Sequence, residues 1–376
     1  MKVSFSATNP CHMYPMACAL AGQGVDVCYY SGYPAWKLEQ HGPGGVRLRI
    51  HSLRTNIVYG LLKLPDRFRP SARSLFLWQD HSFDRWVGRH LEPCDFIHGM
   101  PGQCLDTFRA ARKLGIKTVL NHATGPVRDW VRIMAPEYAR VRLRLEEVCP
   151  YDAAYFARED EEYALADYHC VASSVVRDQL VATGISTDRI WTIPYGADPR
   201  IFHRDDQAKR TGFYVVFAGQ VCLRKGLRDF LKALEIAGQP EWQVDFFGGV
   251  PQEARFDIDR YRGTARLALH GPVSQNRLAD EFRRGSVMVL PSLEEGFGLV
   301  VPQALNCGLP VIVSDRVGAK DLIRHRENGS IFPVGNAEAL AEELRYWETH
   351  PSYPSETWGW EEPAVKLKEL SNALAK

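Results

Sequence analysis

The sequence lacks the features that mark several common classes of protein. The nine cysteines include no C-x-x-C pair, so neither a zinc pattern nor a compact disulfide framework is present, and free thiols in a reducing compartment are expected. The start of the chain shows no secretory signal, and no apolar run approaches the length of about 18 residues that suggests a membrane span. The formal net charge of +1 gives no overall field that favours nucleic acid. We therefore expect a soluble, cytoplasmic protein that at most rests on a membrane.

Two further absences narrow the chemistry. The beginning of the chain has no G-x-G-x-x-G, which disfavours a nicotinamide dehydrogenase. No cluster of His, Cys or carboxylate residues indicates a metal site. The one D-x-D, Asp257-Ile-Asp259, lies in a polar stretch with no strand pattern before it, and we interpret it as chance.

Short apolar runs alternate with helical patterns along most of the chain, which predicts parallel sheets covered by helices on both faces. A turn-rich stretch at 194–199 and a polar stretch at 203–211 interrupt this alternation, which then restarts. We therefore predict an α/β protein with two Rossmann-like, doubly wound domains, residues 1–198 and 199–355, facing each other across a cleft. In such sheets ligands bind beyond the carboxyl ends of the strands. The tail at 358–375 has an amphipathic helical pattern.

The segment from Val46 to His90 is basic and aromatic. It contains nine Lys or Arg against three Asp, interleaved with Leu, Phe and Trp. One interpretation is a surface that touches an anionic acceptor or anionic lipid, which would place the protein peripherally at the inner membrane. The other is a solvated, irregular face of the first domain, since basic segments are common and mostly inert.

The densest chemical signal is the segment from Pro291 to Val300, which reads PSLEEGFGLV between two buried-strand patterns. Its glycines precede a helix that begins near Leu299, and such a loop leaves backbone N–H groups free for an anion. Glu295 in this loop would repel a phosphate unless its carboxylate accepts hydrogen bonds from neutral sugar hydroxyls. Glu294 is expected to face solvent.

A second signal follows the strand pattern at 215–218, where Gly219 and Gln220 lead to Arg224, Lys225 and Gly226. The helix dipole disfavours two cations at a helix N-terminus, so a negative partner is expected there. A diphosphate would satisfy both cations.

Together these two segments resemble the family 4 retaining glycosyltransferases of the GT-B fold, also described as glycosyl transferases group 1. The resemblance covers Phe213–Val334, including the segment NGSIFP at 328–333, and extends back through Glu161–Tyr168 and Ile193–Asp198. The first third of the chain matches weakly. The resemblance implies that the first domain binds the acceptor and the second binds the donor. It also implies that a C-terminal helix, 356–376, packs back on the first domain.

The resemblance implies roles for individual residues. Lys225, with Arg224 beside it, would grip the donor diphosphate, and Glu295 would hold hydroxyls of the donor sugar. His122, after the strand pattern at 118–120, would approach the transferred sugar, with His98 as an alternative. The other predicted donor-site residues are Gly219, Gln220, Phe297, Gly298, Leu299 and Gln303. No cofactor is implied, because the nucleotide diphosphate sugar is the donor substrate.

The implied activity is metal-independent, hexosyltransferase-like transfer of a sugar to a glycan or glycolipid acceptor with retention of configuration, in polysaccharide or glycoconjugate biosynthesis. Two positions depart from the family pattern. Gln303 replaces the second Glu of the E-x7-E motif, a position that the resemblance implies holds the donor ribose. Gln220 replaces a frequent Arg. These departures leave open a catalytically weakened, glycosyltransferase-like binding subunit. A sugar phosphorylase or an epimerase of the same fold is a further alternative.

Overall fold

The computed structural model describes residues 1–9, 11–38, 44–145, 149, 151–205, 207–208 and 211–374. Over these ranges the chain forms two parallel sheets joined in series, each flanked by helices. Residues 375–376 of the expected tail, and 206 and 209–210 of the expected linker, lie outside the described residues. The described residues include no helix that combines the length and the apolar character needed to cross a bilayer.

The first sheet is built from the part of the chain before residue 193. Its strands are β1 (Lys2–Ala7), β2 (Asp26–Ser31), β3 (Arg47–Ile50), β4 (Phe96–Gly99), β5 (Lys117–His122), β6 (Tyr168–Val171) and β7 (Ile190–Thr192). Its helices are α1 (Met13–Gly22), α2 (Ala35–Leu38), α3 (Leu53–Leu61), α4 (Ala72–His90), α5 (Leu105–Lys113), α6 (Val127–Arg140), α7 (Ala153–Leu165) and α8 (Ser174–Ala182). The segment 46–90 is therefore regular over most of its length, and the expectation of an irregular face is wrong there.

The second sheet follows the linker. Its strands are β8 (Tyr214–Ala218), β9 (Gln243–Phe247), β10 (Arg266–Gly271), β11 (Val287–Leu290), β12 (Val311–Ser314) and β13 (Gly329–Phe332). Its helices are α9 (Leu227–Ala237), α10 (Gln252–Ile258), α11 (Gln275–Arg284), α12 (Val300–Asn306) and α13 (Ala337–Thr349). The central strands β8, β11 and β12 are buried along their whole length, and this burial on both faces explains their continuous apolar sequences.

Both sheets have the strand order of doubly wound folds. The first runs β3-β2-β1-β4-β5-β6-β7 and the second β10-β9-β8-β11-β12-β13, with parallel pairing throughout the described strands. The order therefore reverses between β1 and β4 in the first sheet and between β8 and β11 in the second. The predicted fold class of two Rossmann-like domains is confirmed.

The C-terminal helix α14 (Glu361–Leu374) lies against the first domain although it follows the second in sequence. Ala364 and Leu367 are buried in the core that contains β1 and α1, and Lys368 Nζ donates to the carbonyl oxygen of Gln23 at 2.7 Å. The chain thus crosses between the domains twice.

Candidate functional site

Two loops lie side by side at the carboxyl edge of the second sheet. The loop after β8 carries Arg224 and Lys225, and the loop after β11 carries Glu294 and Glu295. Because β8 and β11 are neighbours at the reversal of strand order, their loops flank the crevice where open α/β sheets bind ligands.

Glycine holds these two loops in contact. Gly226 has a left-handed conformation (φ 71°) between the 3-10 turn Leu223–Lys225 and helix α9. A Cβ atom at this position would overlap the carbonyl oxygen of Pro291, and the amide of Leu293 donates to the carbonyl oxygen of Arg224 at 2.8 Å. Only glycine satisfies both the backbone conformation and the close approach.

Both cations of the first loop bind the carboxylate of Glu295. Lys225 Nζ contacts Glu295 Oε2, and Arg224 Nη1 lies 3.2 Å from the same oxygen. Burial alone would raise the pKa of Glu295, but the charges of Lys225 and Arg224 outweigh it and hold this pKa below its ordinary value. The negative partner expected for the two cations is thus, in this structure, Glu295.

Glu294 also belongs to this charged cluster. Its side chain is 5% exposed, Arg224 Nη1 lies 3.4 Å from its carboxylate, and the same nitrogen donates to its carbonyl oxygen at 2.8 Å. Burial raises its pKa, and Arg224 opposes this shift. The expectation that Glu294 faces solvent is therefore wrong, because Arg224 lies against both carboxylates and compensates the cost of burying the second.

The other predicted donor-site residues lie in the same two loops or on helix α12, which follows the second loop. Phe297 is buried and packs edge-on against Tyr195, with ring centroids 5.1 Å apart. The amides of residues 297–299 have no hydrogen-bond acceptor among the described residues. The Gln303 side chain on α12 is half-buried and likewise has no hydrogen-bond partner in the described part of the chain. Gln220 is exposed, and the Gly219 amide donates to Phe247.

The two candidate histidines lie in the interior of the first domain. His122, at the end of β5, is 1% exposed and shares a hydrogen bond of 3.0 Å with His169. Tyr163 Oη lies 3.4 Å from its other ring nitrogen, and burial lowers its pKa well below the ordinary value. His98 is also fully buried, beside Asn121. Among the described residues, neither histidine contacts the charged cluster around Glu295.

The residues that follow His122 reach the second domain. The backbone of Ala123 and Thr124 lies so close to Gly296 that a Cβ atom there would overlap the Ala123 carbonyl oxygen. Ser173 Oγ donates to the carbonyl oxygen of Gly296 at 2.7 Å. The residue next to Glu295 is thus part of the seam between the domains.

A cavity of about 460 Å³ opens at the carboxyl edge of the first sheet. Its wall includes Ala123 and Thr124, so it borders the seam at Gly296. Aromatic rings and polar groups from separate segments complete it, and these residues are Phe76, Asp80, Gln103, Tyr151, Tyr155 and Glu159. They were not predicted from the sequence, because they lie before Glu161, outside the segments that carry the family resemblance.

The cavity carries carboxyl groups and one paired cation. Burial raises the pKa of Asp80 and that of Glu159 to about 7. Arg73, the cation in the lining, is bound by Asp152. The wall after β4 is fixed by the buried carboxylate of Glu162, which accepts hydrogen bonds from the amides that follow this strand. This distribution of charge does not complement an anion.

The D-x-D segment has a structural role. Both carboxylate oxygens of Asp257 accept hydrogen bonds of 2.8 Å from the guanidinium of Arg140, which joins α10 of the second domain to α6 of the first. Within the described ranges no three His, Cys, Asp or Glu residues come together as a group that could hold a metal ion.

The chain is similar to known proteins in sequence and in fold. Residues 199–358 match the family model described as glycosyl transferases group 1. The D-inositol 3-phosphate glycosyltransferase of Paenarthrobacter aurescens (strain TC1) is 29% identical over 254 residues, which are 58% of this chain and 61% of the relative. A D-inositol 3-phosphate glycosyltransferase 1 of Catenulispora acidiphila is 29% identical over 51% of each chain. The chain thus spans about half to three fifths of the length of these curated relatives.

Solved structures match over the whole chain. The Anabaena Alr3699/HepE protein, in complex with UDP and glucose, has a TM-score of 0.70 at 15% identity and covers 100% of both chains. Sucrose-phosphate synthase from Thermosynechococcus elongatus has a TM-score of 0.69 at 18% identity, over 99% of this chain and 98% of that one. The fold is therefore GT-B, and the matches together support a glycosyltransferase.

Proposed function

We propose that this chain transfers a sugar from a nucleotide diphosphate sugar to a glycan or glycolipid acceptor, with retention of configuration and without a metal ion. The observation that carries the proposal is that the cavity of the first domain adjoins the charged cluster of the second domain. Ala123 and Thr124 form the cavity wall in the first domain and also touch Gly296, whose neighbour Glu295 is bound by the two cations of the second domain. The family description and the relatives' names support the same reaction class.

On this proposal the charged cluster is the donor site. The donor diphosphate takes Lys225 and Arg224 away from Glu295, and the freed carboxylate accepts hydrogen bonds from sugar hydroxyls. The amides of residues 297–299 supply further hydrogen-bond donors to the sugar and phosphate groups. Two cations and oriented amides stabilise the charge that develops on the leaving diphosphate, so these groups take the place of a metal ion.

The acceptor hydroxyl forms its bond to the anomeric carbon on the face from which the diphosphate leaves. The leaving phosphate oxygen takes the hydroxyl proton, so no enzymic nucleophile is required. The cavity of the first domain offers aromatic rings and carboxyl groups to hold the acceptor, and its carboxyl groups favour hydroxyl-rich acceptors over phosphate-bearing ones. Contact of the domains excludes water that would otherwise hydrolyse the donor.

The test is to incubate the pure protein with UDP- and GDP-sugars and oligosaccharide acceptors, with and without EDTA, and to analyse the products by mass spectrometry and NMR. We expect transfer from one donor, unaffected by EDTA, with the anomeric configuration of the donor. Binding of a nucleotide sugar without turnover would instead support a binding subunit, for which Gln303 in place of Glu is the specific observation. A strict requirement for free phosphate would identify a phosphorylase.

A further inference from the structure

An exposed apolar surface lies on the first domain between residues 36 and 78. It contains more than half of the large hydrophobic side chains that are exposed among the described residues. They are Trp36, Leu53, Ile57, Tyr59, Leu64, Phe68 and Trp78. Leu53, Phe68 and Trp36 are 68%, 63% and 62% exposed, and such a concentration differs from the single hydrophobics scattered over an ordinary surface.

Contacts between the elements bring α3 together with the first half of α4 and with the segment beside α2. The Arg54 guanidinium on α3 lies 5.4 Å from the ring centroid of Trp78 on α4. The ring centroids of Tyr59 on α3 and Phe76 on α4 lie 6.4 Å apart. Tyr59 also contacts Tyr33, beside α2, at 6.4 Å. We call this region, formed by α2, α3, the 3-10 turn Asp66–Phe68 and the first half of α4, the α2–α4 surface.

Cations are interleaved with the rings on this surface. The Lys37 ammonium lies 5.1 Å from the ring centroid of Trp36, and the Arg67 guanidinium lies 4.7 Å from that of Phe68. Lys63 and Arg69 are exposed nearby. Aromatic and aliphatic groups that insert at the level of lipid headgroups, with long cationic side chains that reach lipid phosphates, are the composition of surfaces that lie on anionic membranes.

We propose that the α2–α4 surface docks on an anionic lipid bilayer. Its positive charge complements anionic headgroups, and its exposed aromatic rings suit the region between lipid headgroups and acyl chains. Helix α4 also lines the cavity of the first domain through Arg73, Phe76 and Leu77, so docking sets the cavity beside the bilayer. On the proposed function, on which this last step rests, the acceptor is a sugar carried by a lipid in that membrane.

Cosedimentation of the full chain with vesicles tests the docking. We expect binding to phosphatidylglycerol-containing vesicles that weakens with salt, and no binding to pure phosphatidylcholine. The double variant Lys63→Gln with Arg67→Gln should lower the partition coefficient by roughly 25-fold, since each cation contributes about fivefold at an anionic surface. Leu53→Ser with Phe68→Ser should also lower it. The control, Leu114→Ser, removes a 55% exposed side chain outside the surface and should bind as the wild type does.

Three results would overturn the docking. They are absence of wild-type binding to anionic vesicles, equal binding by all variants, and self-association of the wild type that the Leu53→Ser, Phe68→Ser variant abolishes while vesicle binding persists. Circular dichroism and thermal unfolding establish that each variant is folded. The proposed function fails separately: vesicle binding without sugar transfer leaves the docking intact, and transfer to a water-soluble acceptor without vesicle binding refutes the docking alone.

Discussion

At the scale of single residues, the candidate donor site is a balance of charges. Arg224 and Lys225 face Glu294 and Glu295 in a nearly buried cluster, so each cation has a carboxylate partner within the protein. Removing one member of such a cluster leaves a buried charge without a partner, which costs more than the net gain from the pair. On the proposed function, the donor diphosphate therefore replaces Glu295 as the partner of Lys225.

Gln303 is the residue whose replacement should strengthen donor binding. Its amide has no hydrogen-bond partner among the described residues, and on the proposed function it faces the donor ribose. Gln303→Glu would supply charge-assisted hydrogen bonds, which we expect to lower the KM for the donor about fivefold, corresponding to ~1 kcal/mol. The control is Gln275→Glu, an exposed position on α11. An unchanged or raised KM in steady-state kinetics would exclude Gln303 from ribose binding.

Glu159 makes stability depend on pH. Burial raises its pKa from the ordinary value of 4.5 to about 7, so between these values the folded protein binds more protons than the unfolded chain. Its contribution to stability is therefore present below pH 4.5 and is lost as pH rises through about 7. Glu159→Gln should remove this loss, which is on the order of 1–3 kcal/mol.

The measurement is the free energy of unfolding by urea at several pH values for both proteins. The difference between variant and wild type should grow in favour of the variant from pH 4.5 to 7 and then level off. A difference that is constant over this range would show that the pKa of Glu159 is not raised in the folded protein.

Sequence reasoning found the cations and Glu295 because their residue types are chemically unusual beside glycines before a helix. It placed Glu294 wrongly because burial of a second carboxylate depends on the position of Arg224, which only the packing of the two loops determines. The position of His122 after a strand was predicted, but its packing against His169 and Tyr163 arises from contacts distant in sequence.

At the scale of elements, the site depends on loops that glycine brings together. Gly226 joins the loops after β8 and β11, and Gly296 joins the second of these to the loop after β5. The alternation of apolar runs was sufficient to predict the central parallel strands, since strands buried on both faces have continuous apolar sequences. It did not predict the edge strands β3 and β13. It did not predict α3 and α4, whose exposed hydrophobic residues hide the usual helical periodicity.

Gly296→Ala tests the seam between the domains. Its methyl group would overlap the Ala123 carbonyl oxygen, so the two loops must separate, at a cost of about 1–3 kcal/mol in stability. Gly22→Ala is the matched control, because it adds the same methyl group at the end of α1, where the methyl group would meet no atom within 4 Å beyond its own helix and chain neighbours. We expect Gly296→Ala alone to lower the melting temperature and kcat/KM. Equal behaviour of the two variants would contradict close contact at the seam.

At the scale of the whole molecule, the two domains are joined at several places. Arg140 binds Asp257 across them, Ser174 binds Asp321 through its amide and its hydroxyl at 2.6 Å each, and α14 returns to pack on α1. The interruption at 194–211 allowed two domains to be predicted from the sequence. The contacts between them could not be predicted, because each pairs residues more than 100 positions apart.

On the proposed function, Lys225 grips the phosphates of the nucleotide-sugar donor. The most direct test compares steady-state nucleotide release by the wild type, Lys225→Ala and Lys232→Ala. Lys232, the control position on α9, has a side chain that is 60% exposed and forms an ion pair with Glu235. We predict that Lys225→Ala lowers kcat/KM by about 100-fold or more, whereas Lys232→Ala has no effect. Near-normal sugar transfer by folded Lys225→Ala would contradict the account.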